Sequence, residues 1–348
     1  MKIQDAIEGF LLDRRPQCSD DTMRWYKQKL GRWSRYMETK GVTEIERITV
    51  AHLRTFLVDM QNAELPKPDG DVEEADSAEG AENATSRKMS DLTLHGYAQV
   101  VKTFCRWLYL EELLDKNPSA RLALPKVGSY VIKAFTRQHL EAMLDVCDKS
   151  KSLGFRDYTM VALMADTGVR LGELAGLTLD NFYQVDSQGK SHIKVLGKGK
   201  REREVGVSPQ VAKLLWKYAR VHRHPKDPNE RHIFVGRYGN PLSKRGIEDL
   251  IFRIREAAGI TDVRCSPHTF RHTFSTMYLE QGGTIHKLSR EFGHSKIAVT
   301  ENYIKSLPLS VARQDHEIYS PVRQLNLNGR RKPVKPAEPT DDTAENAH

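Results

Sequence analysis

The chain has 348 residues, 39% of them hydrophobic and 29% charged, which is enough for two compact domains with proper cores. Lys and Arg number 54 against 46 Asp and Glu, and the formal net charge of +8 favours a polyanionic partner. Cys18, Cys105, Cys147 and Cys265 are scattered without a Cys-x-x-Cys pair and no stretch reaches the length of a membrane span, so a disulfide scaffold and a membrane protein are excluded and a cytoplasmic protein with reduced thiols is expected.

In chain order, the first third reads as helical. Ser19 is placed to cap a helix that carries Met23, Tyr26, Leu30, Trp33 and Met37 at helical spacing, and Gly41 closes it. Thr49 caps a second, with Leu53, Phe56, Leu57 and Met60 on one face; Ser90 or Asp91 opens a third, with Leu94, Tyr97, Val101, Phe104 and Leu108. These stripes predict a small helical core. Lys27, Lys29, Arg32 and Arg35 lie on the first of these helices, either as solvated charges or as phosphate contacts. Between the second and third helices, Leu65 to Ser86 is rich in Pro, Gly, Ala and acids, and reads as a loop or disordered insertion at about 64–86. Residues Glu64 to Glu82 hold eight acids against Lys67 alone, which leaves about +15 on the rest of the chain, a basic surface suited to nucleic acid.

Asn117-Pro118 ends this helical region, and Leu124-Pro125-Lys126-Val127-Gly128 reads as a basic linker, placed at 125–134, that lets two lobes close around a duplex. The expected layout is an N-terminal helical domain at 1–124, a second domain at 135–320 and a polar, disordered tail at 321–348. The second domain opens with helices from about Arg137 to Asp148 and Phe155 to Asp166. Three alternating stretches follow, Asn181 to Val185, His192 to Leu196 and Glu202 to Val207, and predict a small antiparallel sheet. Gly197-Lys198-Gly199-Lys200 joins the last two, so Lys198 is expected at a hairpin tip; the remainder is expected to be helical to about Tyr319. The fold class is therefore mainly α, with a mixed α/β second domain built on a three-stranded antiparallel sheet.

Six residues of the second domain stand in telling phrases. Arg170 sits in Thr167-Gly168-Val169-Arg170-Leu171-Gly172-Glu173, Lys198 in the Gly-Lys-Gly-Lys turn, and His268 and Arg271 in His268-Thr269-Phe270-Arg271-His272. His294 follows Gly293 and precedes Tyr303 by nine residues. At these residues the chain resembles the tyrosine recombinases, also called the phage-integrase family, motif by motif over roughly its last three-fifths and more loosely over the first third. The resemblance implies a site-specific recombinase with a helical core-type DNA-binding domain and a catalytic domain, needing no cofactor and no metal. Tyr303 would attack a DNA phosphodiester to give a 3′-phosphotyrosyl bond and a free 5′ hydroxyl. It also implies a homo-tetramer on two duplex sites exchanging strands through a Holliday junction, with accessory DNA-bending or directionality proteins as further partners. No arm-binding module is expected ahead of the first helical domain.

The chemistry needs these residue types. Displacement at a phosphodiester builds negative charge on the non-bridging and leaving oxygens, and without a divalent metal the protein must supply the positive charge. Arginine is suited to this because its planar fork stays protonated and reaches two oxygens; Arg170 and Arg271 would form the clamp. His268, three residues before Arg271, shares its helical face. By resemblance, the His268 position assists proton removal from the tyrosine, the His294 position donates to a non-bridging oxygen, Lys198 is the general acid for the 5′ oxygen, and Glu173 braces Arg170. A tyrosine with its ordinary pKa of ~10 needs such neighbours to ionise.

Taken singly, each phrase is generic: a helix junction, a hairpin turn, a capping His-x-x-Arg, a half-buried tyrosine. Their joint order and spacing carry the reading. His268, His272, His286 and His294 lack zinc spacing and have no completing Cys or acid. Tyr278 falls on the apolar side of its helix with Phe274 and reads as core, and Phe292, where the family usually has leucine, is expected to touch packing rather than chemistry. Two alternatives remain: relaxation of DNA by a type IB topoisomerase-like mechanism, and a DNA-binding regulator that does not cut.

Overall fold

The computed structural model describes residues 1–65, 87–128, 132–182, 184–185, 189–197, 202–294, 297 and 300–301. Contacts divide the chain into two units, Met1–Tyr130 and Val131–His348.

The first unit is a bundle of four helices: α1 (Ile3–Arg14), α2 (Asp20–Thr39), α3 (Val50–Asn62) and α4 (Asp91–Leu110). The three helices with recognisable caps start where the sequence indicated. Ser19, Thr49 and Ser90 each accept a hydrogen bond from a backbone N–H of the first turn, at 3.4, 3.3 and 3.2 Å. Gly41, in the left-handed region at φ 73°, ends α2. Helix α1 was not anticipated. Its N-cap is Lys2, which makes no capping bond, and Asp5 and Glu8 interrupt an apolar set of Ile3, Ala6, Ile7 and Phe10 that is nonetheless wholly buried. The start of α1 is fixed by contacts remote in sequence, Ile3 N–H to the Thr43 carbonyl at 2.8 Å and Ile45 N–H to the Met1 carbonyl at 3.0 Å.

Aromatic rings fill the centre of this unit. Phe104 meets Phe10 and Trp33 edge-on at 5.6 and 5.7 Å, and Phe56 meets Tyr97 at 5.9 Å. The basic residues of α2 are not equivalent. Lys29 is 5% exposed, with its ammonium 4.0 Å from the centroid of Tyr97, so it is a packed cation rather than a solvated one. Lys27 and Arg35 are exposed.

Two short strands, β1 (Glu64–Leu65) and β2 (Arg87–Lys88), pair antiparallel in the register Glu64↔Lys88 and Leu65↔Arg87. The acidic insertion is thus bracketed by a ladder; residues 66–86, which make up nearly all of it, lie outside the described residues, as does the tail at 321–348.

In the second unit, α5 (Arg137–Asp145) and α6 (Ser152–Thr167) precede the short α7 (Leu171–Ala175). The sheet is β3 (Gln184–Val185), β4 (Ser191–Leu196) and β5 (Glu202–Gly206), antiparallel in the order β3-β4-β5, with Leu196 opposite Glu202 at the end of the hairpin. Helices α8 (Pro209–Lys217), α9 (Lys244–Ala257), α10 (Pro267–Glu280) and α11 (Ile285–Glu291) complete it. The core runs through Met160, Leu163, Met164, Val195, Val205, Leu215, Ile247 and Phe270. The expectation of continuous helix after the sheet fails over 223–243. Here the chain is irregular, because the backbone pairs with distant partners instead: Leu179 N–H bonds to the Arg231 carbonyl and Ile233 N–H to Leu177, both at 2.8 Å. Tyr278 packs as expected beside Phe274, in a small apolar cluster with Leu279, Leu288 and Phe292.

The β1–β2 ladder brings the ends of the insertion side by side, so a two-residue Asn-Gly turn can replace residues 66–86. The deletion should melt cooperatively and be as stable as the full chain, or more stable by up to about 2 kcal/mol from the shorter loop. Loss of a cooperative transition would show instead that the segment is part of the core.

Candidate active site

Arg170 is presented by a sharp exit from α6. Gly168 ends that helix at φ 57°, a conformation that favours glycine, and a Cβ there would press on both Phe274 and Phe292 at 3.2 Å. Two residues later Arg170 becomes the N-cap of α7. Glu173, in the first turn of α7, folds back: one carboxylate oxygen accepts from the Arg170 backbone N–H and the other from Nη1 of its guanidinium, both at 2.8 Å. The Arg-x-x-Glu phrase is therefore a helix start and a brace at once.

Arg271 comes from the first half of α10 and is 4% exposed. Its Nη1 donates to the Gly168 carbonyl at 2.7 Å, and its guanidinium lies 3.5 Å from the centroid of the Phe292 ring. Both arginines converge on one atom. The Phe292 carbonyl accepts from Nη2 of Arg170 at 3.1 Å and from Nη2 of Arg271 at 3.3 Å. Phe292 thus does more than pack, and this corrects the sequence reading: its ring supports one guanidinium and its carbonyl holds the pair together. His268 is one helical turn ahead of Arg271 and exposed.

His294 reaches the cluster because Gly293, at φ 61°, turns the chain after α11; a Cβ on Gly293 would meet Cδ of Arg203 at 2.7 Å. Nε2 of His294 is 3.1 Å from Nη2 of Arg271, and Nδ1 is 2.7 Å from Oγ1 of Thr300. A guanidinium only donates, so Nε2 is the acceptor and the ring proton of the neutral imidazole sits on Nδ1, facing Thr300. Burial, followed by the charges of Arg271, Arg170 and Arg203, lowers the His294 pKa to about 4.

Arg203 on β5 was not singled out from the sequence. Its Nη1 and Nη2 donate to the two oxygens of Glu173, the latter at 2.8 Å, and its Nε donates to the Glu291 carbonyl at 3.1 Å. Glu291 in turn accepts from the Gly206 N–H at 2.7 Å through its side chain. The Glu173 side chain is only 2% exposed. Burial works to raise its pKa, but the hydrogen bonds from Arg203 and Arg170 outweigh this and hold it below the usual carboxylate value. In sequence, Arg203 is one charge among many in Lys198 to Glu204; the only cue was that it shares a strand face with the apolar Val205.

Of the sequence-predicted residues, the structure brings together Arg170, Glu173, Arg271 and His294, with His268 on the same helix as Arg271. Lys198 and Tyr303 lie outside the described residues. Among the described residues, no group of three His, Cys, Asp or Glu side chains is arranged to hold a metal ion, and no helix is long and apolar enough to cross a membrane. With His294 neutral, the three arginines and Glu173 leave two net positive charges around a site that can receive an anionic tetrahedral group.

The depressed pKa has a measurable consequence. As pH falls from 6.5 towards 4, the unfolded chain takes up a proton that the folded His294 refuses, so this residue's contribution to stability declines across that window and is level above it. In an NMR titration of the free protein the His294 ring should remain neutral down to about pH 4. A titration midpoint near 6.5 would contradict the arrangement.

The model of the phage integrase family matches residues 133–309. A tyrosine recombinase XerC 2 of Ralstonia nicotianae is 32% identical over 249 residues, covering 71% of this chain and 69% of that protein. A tyrosine recombinase XerD of Halalkalibacterium halodurans is 30% identical over 205 residues, 58% of this chain and 67% of its own. Among solved structures, a Tn1549 transposon integrase in complex with transposon right end DNA superposes with a TM-score of 0.67 at 16% identity, covering 91% of this chain and 99% of that one. A XerH site-specific recombinase bound to palindromic difH substrate gives a TM-score of 0.66 at 16% identity over 85% and 79%. At these identities the structural likeness speaks for the fold, while the family match and the sequence relatives speak for descent: the chain belongs to the phage integrase family and is a site-specific recombinase of the tyrosine type.

Proposed function

We propose that this recombinase cuts and rejoins duplex DNA through a covalent bond between Tyr303 and a 3′ phosphate, with Arg170 and Arg271 clamping the scissile phosphate. The observation that carries the reading is the convergence of both guanidiniums on the Phe292 carbonyl, with Nε2 of His294 3.1 Å from Arg271. Two fixed cations spaced by one oxygen are matched to a group bearing two non-bridging oxygens, and they need no reorganisation as charge develops. The positive balance of the chain, +8 overall, suits the polyanion.

In the proposed step the Tyr303 hydroxyl attacks phosphorus while His268 assists removal of its proton. The bond from phosphorus to the 5′ oxygen breaks, and Lys198 protonates that oxygen. One phosphoester replaces another, so rejoining needs no nucleotide and the cut is reversible. Nε2 of His294 faces Arg271 as an acceptor, so to donate to a non-bridging oxygen it must gain a proton. An arriving phosphate favours that change, since its negative charge offsets the arginine charges that, after burial, help to hold the imidazole neutral. The assembly we infer is a homo-tetramer on two duplex sites, working in the cytoplasm with accessory DNA-bending or directionality proteins and passing through a Holliday junction.

Tyr303→Phe tests the centre of this reading. The variant should bind DNA as the parent does and form no covalent complex on a nicked trapping substrate. A covalent adduct of normal yield would remove Tyr303 from the mechanism.

A further inference from the structure

Arg203 offers the strongest case for a role that the six-residue set omits. It is the second cation on the buried Glu173 carboxylate, bonded to both oxygens, while Arg170 holds one of them with Nη1. It also ties three elements together: β5, which carries it, α7 through Glu173, and the end of α11 through the Glu291 carbonyl. Cδ of Arg203 lies 2.7 Å from where a Cβ on Gly293 would fall, so the turn that delivers His294 is packed against this side chain.

The consequence is electrostatic. A carboxylate that is 2% exposed must be neutralised by what touches it. With Arg203 present, Glu173 is satisfied and Arg170, whose side chain is 38% exposed, keeps a charge to offer outward. Without Arg203, Arg170 is the one arginine left on Glu173 among the described residues, and the net charge of the cluster falls from two positive to one. We propose that Arg203 is a positioning residue of the recombination reaction: by neutralising Glu173 and anchoring the Glu291–His294 turn, it leaves the charge of the part-exposed Arg170 available to the scissile phosphate. This rests on Arg170 being a phosphate-clamping residue.

The test is the single-turnover cleavage rate of Arg203→Gln on two substrates, one with a normal scissile phosphate and one with a methylphosphonate there. The methylphosphonate lacks one charged oxygen and so depends less on the clamp. On the phosphate, Arg203→Gln should lose about 10-fold to 10²-fold, less than the loss typical of a direct oxyanion donor. On the methylphosphonate most of that loss should disappear. Adding Arg203→Gln to Arg170→Gln should cost little more, since the two act through one group. Arg203→Lys keeps the charge without the fork, and should show a smaller loss with the same substrate dependence; it also carries the comparison if the glutamine variant melts too low to assay. Equal losses on both substrates, multiplying with those of Arg170→Gln, would overturn the proposal and leave Arg203 a structural residue. The Arg170→Gln arm separates the two readings. If it too is not selectively restored by the methylphosphonate, the clamp itself is wrong; if it is restored and Arg203→Gln is not, only the role of Arg203 falls.

Discussion

A single carboxylate held between two guanidiniums organises the candidate site in the second unit. Glu173 is buried, and its pairing with Arg170 and Arg203 makes that burial tolerable. Removing one partner from such a group typically costs about 3–5 kcal/mol, so neither arginine can move far without a structural response. From this pairing the rest follows in order. Arg170 is held at the start of α7, its Nη2 reaches the Phe292 carbonyl, and the same carbonyl accepts from Arg271, whose Nη2 also contacts Nε2 of His294. The candidate active site is a connected set of charges rather than separate residues, and the positive potential it presents depends on how many of its cations Glu173 consumes.

Backbone constraints secure the same geometry. Gly168 and Gly293 both sit in the left-handed region, one ending α6 and the other following α11; a Cβ would be tight against Phe274 and Phe292 at the first and would collide with Arg203 at the second. Gly168 lies against the Phe292 ring, on which Arg271 is stacked, and Gly293 lies against the Arg203 side chain. The glycines preceding Arg170 and His294 in the sequence phrases are thus part of how the cations are aimed.

Much of this was legible in the sequence, wherever the signal was local. Ser19, Thr49 and Ser90 marked helix starts because a side-chain cap acts within one turn, and the alternation in His192 to Leu196 and Glu202 to Val207 marked the hairpin. The Arg170, Glu173, Arg271 and His294 phrases were readable because each is a short run with its own geometry. What escaped was set by distant contacts. Helix α1 lacks a cap and is fixed by Thr43 and Ile45. The irregular run at 223–243 follows from pairing with Leu177 and Leu179. Lys29 reads as a surface charge until Tyr97 is placed beneath it. Arg203 looks like one member of a charged turn until the fold brings Glu173, thirty residues earlier, against it.

In the proposed mechanism arginines supply the charge that a divalent cation supplies in other phosphoryl-transfer sites. Its most direct test is the rate of single-turnover strand cleavage with excess chelator and again with added magnesium. The arginine cluster predicts the same rate in both. Cleavage that vanishes with the chelator and returns with magnesium would contradict it.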